Sequence, residues 1–358
     1  MRRVLVKAVF VADPADTFPS RIEIDADIYE GDRGMPNRPM LATAAALAAA
    51  AALVLPTAAV ADNGARADVM AVQDHLQELQ NIAGANGGNR AAGTPGYKAS
   101  LDYIKGKLDE AGFATTVQEF QSMGGPTYNL IAETPGGDAN KVVMFGAHLD
   151  SVGEGPGIND NGTGSAAILQ AALDYAGGGE TPTNKLRFAF WGAEEEGLVG
   201  STHYVETLPE ADRGKIAAYL NFDMVGSPNA GYFTYDGDDS DGVGAGPGPE
   251  GSAQIEKLLN DSLGAAGAPA EGTDFDGRSD YGPFIEVGIP AGGTFTGAEE
   301  TKSPEQAEKW GGQAGEAFDA CYHQSCDTIE NVDAQALERN FAAIANAVKT
   351  YAAQFPQP

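Results

Sequence analysis

Val142-Val143-Met144-Phe145-Gly146-Ala147-His148-Leu149-Asp150 is an apolar run that ends on a histidine and an acid. Its length and its valine and phenylalanine content suit a strand buried on both faces. Two later runs have the same form. Leu186 to Ala193 leads into Glu194-Glu195, and Ala217 to Phe222 leads into Asp223. An α/β sheet presents its chemistry at the carboxyl ends of its strands. Three such ends carrying His, Glu-Glu and Asp are hard to explain as surface decoration.

The surrounding chain alternates helix and strand. Val69, Val72, Leu76 and Leu79 recur at helical spacing, and Leu101, Ile104 and Leu108 mark a second helix over Gly96–Ala111. Strands are expected at Thr115–Phe120 and Tyr128–Ala132, and helices at Gly164–Tyr175, Leu198–Leu208, Ala253–Leu263 and Ala334–Ala353. The pattern predicts a three-layer α/β/α sandwich around a mixed, largely parallel sheet. Gly153 to Gly162 forms a glycine-rich loop inside this pattern, and such loops tend to be functional. Asp236 to Pro249 is a second, acidic one.

The chain has 358 residues, 42% of them hydrophobic, enough for one large core. Its net charge of −29 leaves no basic stripe to neutralise phosphates, so nucleic acid and anionic membranes are poor partners. The bland reading of that charge is a solvated acidic shell. Leu41–Leu55 is an Ala/Leu run too short to span a bilayer, preceded by Arg33 and Arg38 and followed by Ala59-Val60-Ala61. It reads as a secretory signal, with Met35 or Met40 a better initiator than Met1. The expected division is 1–61 as extension plus signal and 62–358 as a secreted, monomeric catalytic domain. The chain has two cysteines, Cys321 and Cys326. Export would let them pair; the alternatives are free thiols or soft ligands, although a lone C-x4-C lacks the spacing of a structural zinc site. A disulfide is expected, stiffening the loop that carries Tyr322 and His323.

His148, Asp160, Glu195, Asp223 and His323 offer the imidazoles and carboxylates that zinc accepts. Two metals need at least one bridging carboxylate and open positions for water and substrate. Glu194 and Glu195 are neighbours and so point apart, one free to bind metal and the other to face the substrate. Each residue has a plainer reading alone. His148 could be a satisfied core histidine, the two glutamates could favour a helix N-terminus, and Asp223 could be a cap. His75 and His203 lie within helices and are expected to have structural or surface roles.

The ordered set His148-Leu-Asp150, Asn159-Asp160-Asn161-Gly162-Thr163-Gly164, Trp191-Gly192-Ala193-Glu194-Glu195, Asn221-Phe222-Asp223-Met224 and Cys321-Tyr322-His323 resembles the di-zinc aminopeptidases, above all the secreted Streptomyces-type leucine aminopeptidases. Asn89-Arg90, Gly277-Arg278-Ser279-Asp280 and Lys309-Trp310-Gly311-Gly312 extend the likeness over roughly 68–350. The resemblance implies a metallo-aminopeptidase that prefers large hydrophobic first residues on peptides with a free N-terminus. It implies that Asp160 bridges two zinc ions, with His148 and Asp223 on one and Glu195 and His323 on the other. Glu194 would activate the zinc-bound water and Tyr322 would donate to the oxyanion. Arg278 and Phe295 would hold substrate, and Asp150 would orient His148. The Asp160–Asn161 peptide would be cis.

The chain departs from its relatives at Tyr281-Gly282-Pro283-Phe284, where His-Ala-Pro-Phe is usual, so an altered pocket wall is expected. Late aspartates that hold calcium in some relatives match Glu338 and Ala342, which argues against calcium here. Carboxypeptidase, dipeptidase and aminoacylase reactions are rivals on the same metals. A one-zinc glutaminyl-cyclase-like enzyme and a binding domain without catalysis are rivals on the same fold. No Gly-x-Ser-x-Gly elbow supports a serine hydrolase. For the export signal, intact-mass measurement of secreted protein should give a start near Asp62; retention of Leu41–Leu55 in active enzyme would contradict it.

Overall fold

The computed structural model describes residues 7–10, 22–25 and 57–355, with side chains from Val69 onward. The chain divides into two units at Pro56. In the first, β1 (Lys7–Phe10) pairs antiparallel with β2 (Ile22–Asp25). The expected export run Leu41–Leu55 lies outside the described residues. The expected cleavage point before Asp62 falls within the range of the first helix.

The second unit begins with α1 (Thr57–Ala85) and α2 (Pro95–Glu110). Thr94 caps α2, its hydroxyl accepting from the Tyr97 amide, and Pro95 sits at the first helical position. Then come β3 (Ala114–Ser122), β4 (Gly125–Glu133) and β5 (Asp138–His148). A kinked segment over Ile158–Thr163, non-helical at Asp160 and Asn161, leads into α3 (Gly164–Gly177). The order continues with β6 (Asn184–Trp191), α4 (Val199–Thr207), α5 (Glu210–Arg213), β7 (Ile216–Phe222), β8 (Phe233–Tyr235), α6 (Ser252–Ala265) and β9 (Glu271–Thr273). It closes with α7 (Gly282–Glu286), β10 (Ala291–Phe295), α8 (Pro304–Trp310) and α9 (Ala334–Ala353).

Eight strands form one mixed sheet in the order β3-β4-β6-β5-β7-β10-β8-β9. The central four, β6-β5-β7-β10, run parallel, while β4 on one side and β8 on the other are antiparallel to them. Alternation along β5 explains the layers. Val143, Phe145 and Ala147 join the core built with α1, α2, α3, α6 and α9. Val142 and Met144 face the opposite core, which includes Tyr204 of α4 and Phe284 of α7. This is the expected α/β/α sandwich. The short strands β8, β9 and β10 were not legible: β10 reads Ala-Gly-Gly-Thr-Phe, and its glycines mask any strand pattern.

The fold brings the site together because β6 lies on one flank of β5 and β7 on the other. All three are parallel, so His148, Glu194-Glu195 and Asp223 emerge on one edge. Gly146, two residues before His148, shows how tightly that edge is filled. A methyl added there would collide with the ring and hydroxyl of Tyr219 and with Trp191 Nε1. Gly146→Ala should therefore destabilise the protein by about 1–3 kcal/mol, as overpacking does. An unchanged urea midpoint would contradict this.

Candidate metal centre

Asp160 is the meeting point of the site. Its Oδ1 lies 3.2 Å from His148 Nε2 and its Oδ2 lies 3.2 Å from His323 Nε2. Asp223 Oδ1 is 3.3 Å from His148 Nε2, and Glu195 Oε2 is 2.9 Å from His323 Nε2. The five residues thus form two triads, His148–Asp160–Asp223 and Asp160–Glu195–His323, sharing one carboxylate. Ligand atoms bound tetrahedrally to zinc at 2.0–2.2 Å lie about 3.3–3.6 Å apart, close to the spacings seen here. Asp223 Oδ1 and Glu195 Oε1 are buried without hydrogen-bond partners, a costly arrangement that a cation would satisfy. On this observation each triad fits a zinc ion.

The loops around Asp160 are stitched by its neighbours. Asn161 donates to Phe222 O (2.9 Å) and accepts from the amides of Gly164 (2.9 Å) and Met224 (3.2 Å). Asn159 Oδ1 accepts from Gly226 N (3.2 Å) and Thr163 Oγ1 from Val225 N (3.0 Å). The loop holding Asp160 is thereby tied to the loop after Asp223. The Asp160–Asn161 peptide is cis. Gly157, with φ +61°, has no room for a Cβ against Ser151 and the Asp160 carbonyl. Three non-glycine residues at the site also take left-handed backbone: Ala193 before Glu194 (φ 59°), Met224 after Asp223 (φ 48°) and His323 itself (φ 55°). Such strain clusters at functional sites.

Four hydrogen bonds in series end on Asp223. Trp191 Nε1 donates to Tyr219 OH (2.8 Å), which donates to Asn221 Oδ1 (2.9 Å). Asn221 Nδ2 donates to Ser279 Oγ (2.8 Å), whose hydroxyl donates to Asp223 Oδ2. Every donor points toward the carboxylate, so the bonds reinforce one another. Asp150 contacts both His148 and the two glutamates. His148 Nδ1 bonds the Asp150 carbonyl (3.2 Å), and the carboxylate stands 3.6 Å from that nitrogen. The carboxylate also accepts from the amides of Glu194 (3.2 Å) and Glu195 (3.3 Å), fixing both glutamates.

Burial and crowding of acids set the electrostatics. Burial opposes charge on His148, but Asp223, Glu194, Asp150 and Asp160 outweigh it and hold its pKa well above the usual value. For His323, burial is again outweighed by Asp160 and Glu195, and the pKa rises to about 10. Burial and then Asp160 push Glu195 up to about 7. Glu194 is raised well above the carboxylate range, first by burial and then by Asp280, Asp223 and Glu195 against the pull of His148. Its Oε2 lies 3.9 Å from His148 Nε2.

A cavity of about 320 Å³ opens beside the triads. Phe295, expected to hold substrate, lines it with Met224, Phe233 and Phe318. Arg278 and Tyr322 line it as well, but Arg278 is engaged with Glu299 (2.9 Å) and Glu300 (3.1 Å). Arg278 also donates to Tyr322 OH (3.3 Å), which leaves the phenolic hydrogen free to donate. Tyr322 stacks on His323, centroids 3.8 Å apart. Cys321 and Cys326 are disulfide-bonded, Cα–Cα 5.3 Å, across this loop. Tyr281, at the departing motif, stands behind the wall. Its hydroxyl donates to Asp276 Oδ1 (2.6 Å) and its ring packs on Tyr235 (4.4 Å), and Asp276 and Tyr235 both line the cavity.

A model of peptidase family M28 matches residues 129–348. The chain belongs to this family. It is 54% identical over 288 residues to leupeptin-inactivating enzyme 1 of Streptomyces exfoliatus, covering 80% of this chain and 63% of that one. It is 58% identical over 220 residues to an aminopeptidase of Pseudomonas aeruginosa, covering 61% of this chain and 40% of that one. The chain therefore spans less than two thirds of the length of these curated relatives. A zinc aminopeptidase structure from Bacillus subtilis shares the fold, with a TM-score of 0.64 at 17% identity over 78% of this chain and 94% of that one.

Ser279 and Asp280, known from the sequence only as part of a motif, and Asp319 and Asp327, which carried no expectation, are all buried near the centre. Asp319 and Asp327 left a faint signal, since an isolated acid in a loop reads as surface. His75 is buried and bonds Tyr103 OH and Gln170, and His203, half-buried, stacks on Phe120. Because the neighbouring acids raise the proton affinity of both site histidines, that of His323 to about 10, zinc uptake at pH 7 should release protons. Calorimetry in buffers of different ionisation enthalpy should show this; a buffer-independent heat would contradict it.

Proposed function

We propose that this family M28 chain is a secreted aminopeptidase working on two zinc ions and favouring a large hydrophobic first residue. The observation that carries the reading is the pair of triads sharing Asp160 beside a cavity walled by Met224, Phe233, Phe295 and Phe318. His148 and Asp223 would hold one ion, Glu195 and His323 the other, and Asp160 both. Two complete triads favour this over the one-zinc reading. The Pseudomonas aeruginosa relative is named an aminopeptidase and the Bacillus subtilis structure a zinc aminopeptidase, which supports the assignment. Residues 62–358 would form the secreted domain. The disulfide accords with export, and no helix among the described residues is long and apolar enough to cross a membrane.

Zinc, when bound, would polarise the scissile carbonyl and make water a nucleophile near neutral pH. Glu194 is the proton carrier in this reading. Burial raises its proton affinity, which suits a group that takes a proton from water and gives it to the leaving amine. Asp150 holds it in place through the Glu194 amide. Tyr322 aims its hydroxyl at the oxygen that becomes negative as the carbonyl is attacked. The acids around the centre favour a substrate ammonium, and the apolar wall takes the first side chain. A free amine has to lie one residue from the scissile carbonyl, so acylation removes both its charge and its basic nitrogen.

Leu-, Met- or Phe-started peptides and anilides should be cleaved, with chelator inhibition reversed by Zn²⁺. N-acetyl versions should react at least about tenfold more slowly, equivalent to roughly 1.4 kcal/mol of transition-state stabilisation. Equal turnover of acetylated peptides, or release from the C-terminus, would overturn the aminopeptidase reading. Glu194→Gln should lower kcat by about 10²–10⁴ with zinc content unchanged; loss of zinc would move Glu194 to the ligand role.

A further inference from the structure

We infer that Asp327 is a positioning residue that sets the Asp160–Glu195–His323 triad, an inference that rests on the metal centre proposed above. Its carboxylate is buried and grips two successive amides of the opposite loop. Oδ1 accepts from Asn159 N at 2.8 Å and Oδ2 from Asp160 N at 2.9 Å. The Asp327 carbonyl accepts from Ile158 N at 3.2 Å, so three consecutive amides of the loop, 158 to 160, meet one residue.

The consequence follows from where the partners come from. His148 belongs to β5 and Asp223 follows β7, so sheet pairing sets their separation. His323 lies on no strand or helix. It belongs to the loop closed by Cys321–Cys326, and Asp327 is the residue after that disulfide. The 3.2 Å approach of His323 Nε2 to Asp160 Oδ2 therefore depends on how this loop is registered against the Asp160 loop. Asp327 makes that registration at one end. Asp319 makes it at the other, accepting from Asn159 Nδ2 at 2.7 Å and from Cys321 N at 2.8 Å. Asn331 Nδ2 joins the two carboxylates, 2.9 Å from Asp319 Oδ1 and 3.4 Å from Asp327 Oδ1. The disulfide shortens the loop, and the carboxylates fix where it sits. An amide at position 327 keeps the shape but turns an N–H₂ toward one of the two backbone donors.

The test uses Asp327→Asn in the full catalytic chain. Metal-free protein is titrated with Zn²⁺ by calorimetry, with His323→Ala marking the step that belongs to its triad. The parent should show two steps. Asp327→Asn should weaken the His323 step at least about tenfold, the range seen when the outer partners of metal ligands are removed, and leave the other step within about threefold. An unchanged His323 step, or equal weakening of both steps with a lower melting temperature, would overturn the positioning role. A parent that takes up no zinc would instead sink the metal-centre reading. A second measurement needs no variant: in metal-free parent protein the Asn159 and Asp160 amides should be protected from hydrogen exchange. Exchange as fast as in exposed loops would overturn the inference.

Discussion

One carboxylate shared between two histidines organises this molecule. Asp160 presents an oxygen to His148 and an oxygen to His323 at equal distance, and each histidine faces a further acid. The arrangement concentrates negative charge in a buried place, where isolated ions are costly. Without cations the crowded acids raise the proton affinity of His148 and His323, and burial raises that of Glu194 and Glu195. In the proposed reading zinc would meet that negative charge, within a frame of hydrogen bonds that fixes the loops carrying the acids.

That frame is made mainly of backbone contacts. Asn159, Asn161 and Thr163 bind the chain after Asp223, and Asp150 binds the amides of both glutamates. Arg90 is wholly buried and donates to the carbonyls of Leu149, Pro156 and Gly157, bracing the glycine-rich loop between His148 and Asp160. Its planar fork supplies the donors that such a loop needs in one place. Side chains that look like solvated loop polarity in the sequence thus serve as internal scaffolding. The charge of the chain does not reveal this, because among the described residues only a minority of the acids are locked inside.

The apolar wall of the cavity comes from parts of the chain that share no local signature. Phe233 lies in β8, Phe295 ends β10, Met224 follows Asp223, and Phe318 belongs to the loop before the disulfide. Phe233 contacts Phe295 and Phe318 at centroid distances of 6.2 and 5.4 Å. Tyr281, where the motif departs from its relatives, supports Asp276 and Tyr235 from behind and does not itself line the cavity. The Arg278 pairs with Glu299 and Glu300 likewise join residues that are distant in sequence.

What the sequence determined by itself was local and periodic. The apolar runs into His148, Glu194-Glu195 and Asp223 read as strands because alternation and burial leave a mark within a few residues. The helices read similarly, and the order of motifs carried the family likeness. The strands β8, β9 and β10 were hidden, since glycine-rich and very short segments leave no periodic mark. Only the tertiary structure decided that Asp160 faces both histidines, that the Asp150 carboxylate reaches the amides of both glutamates, and that Asp319 and Asp327 are internal. Those facts depend on separations of tens to hundreds of residues, such as the 168 positions between Asn159 and Asp327. A hydrogen bond requires geometry to a few tenths of an ångström, and residue order carries no such information until the chain has closed on itself.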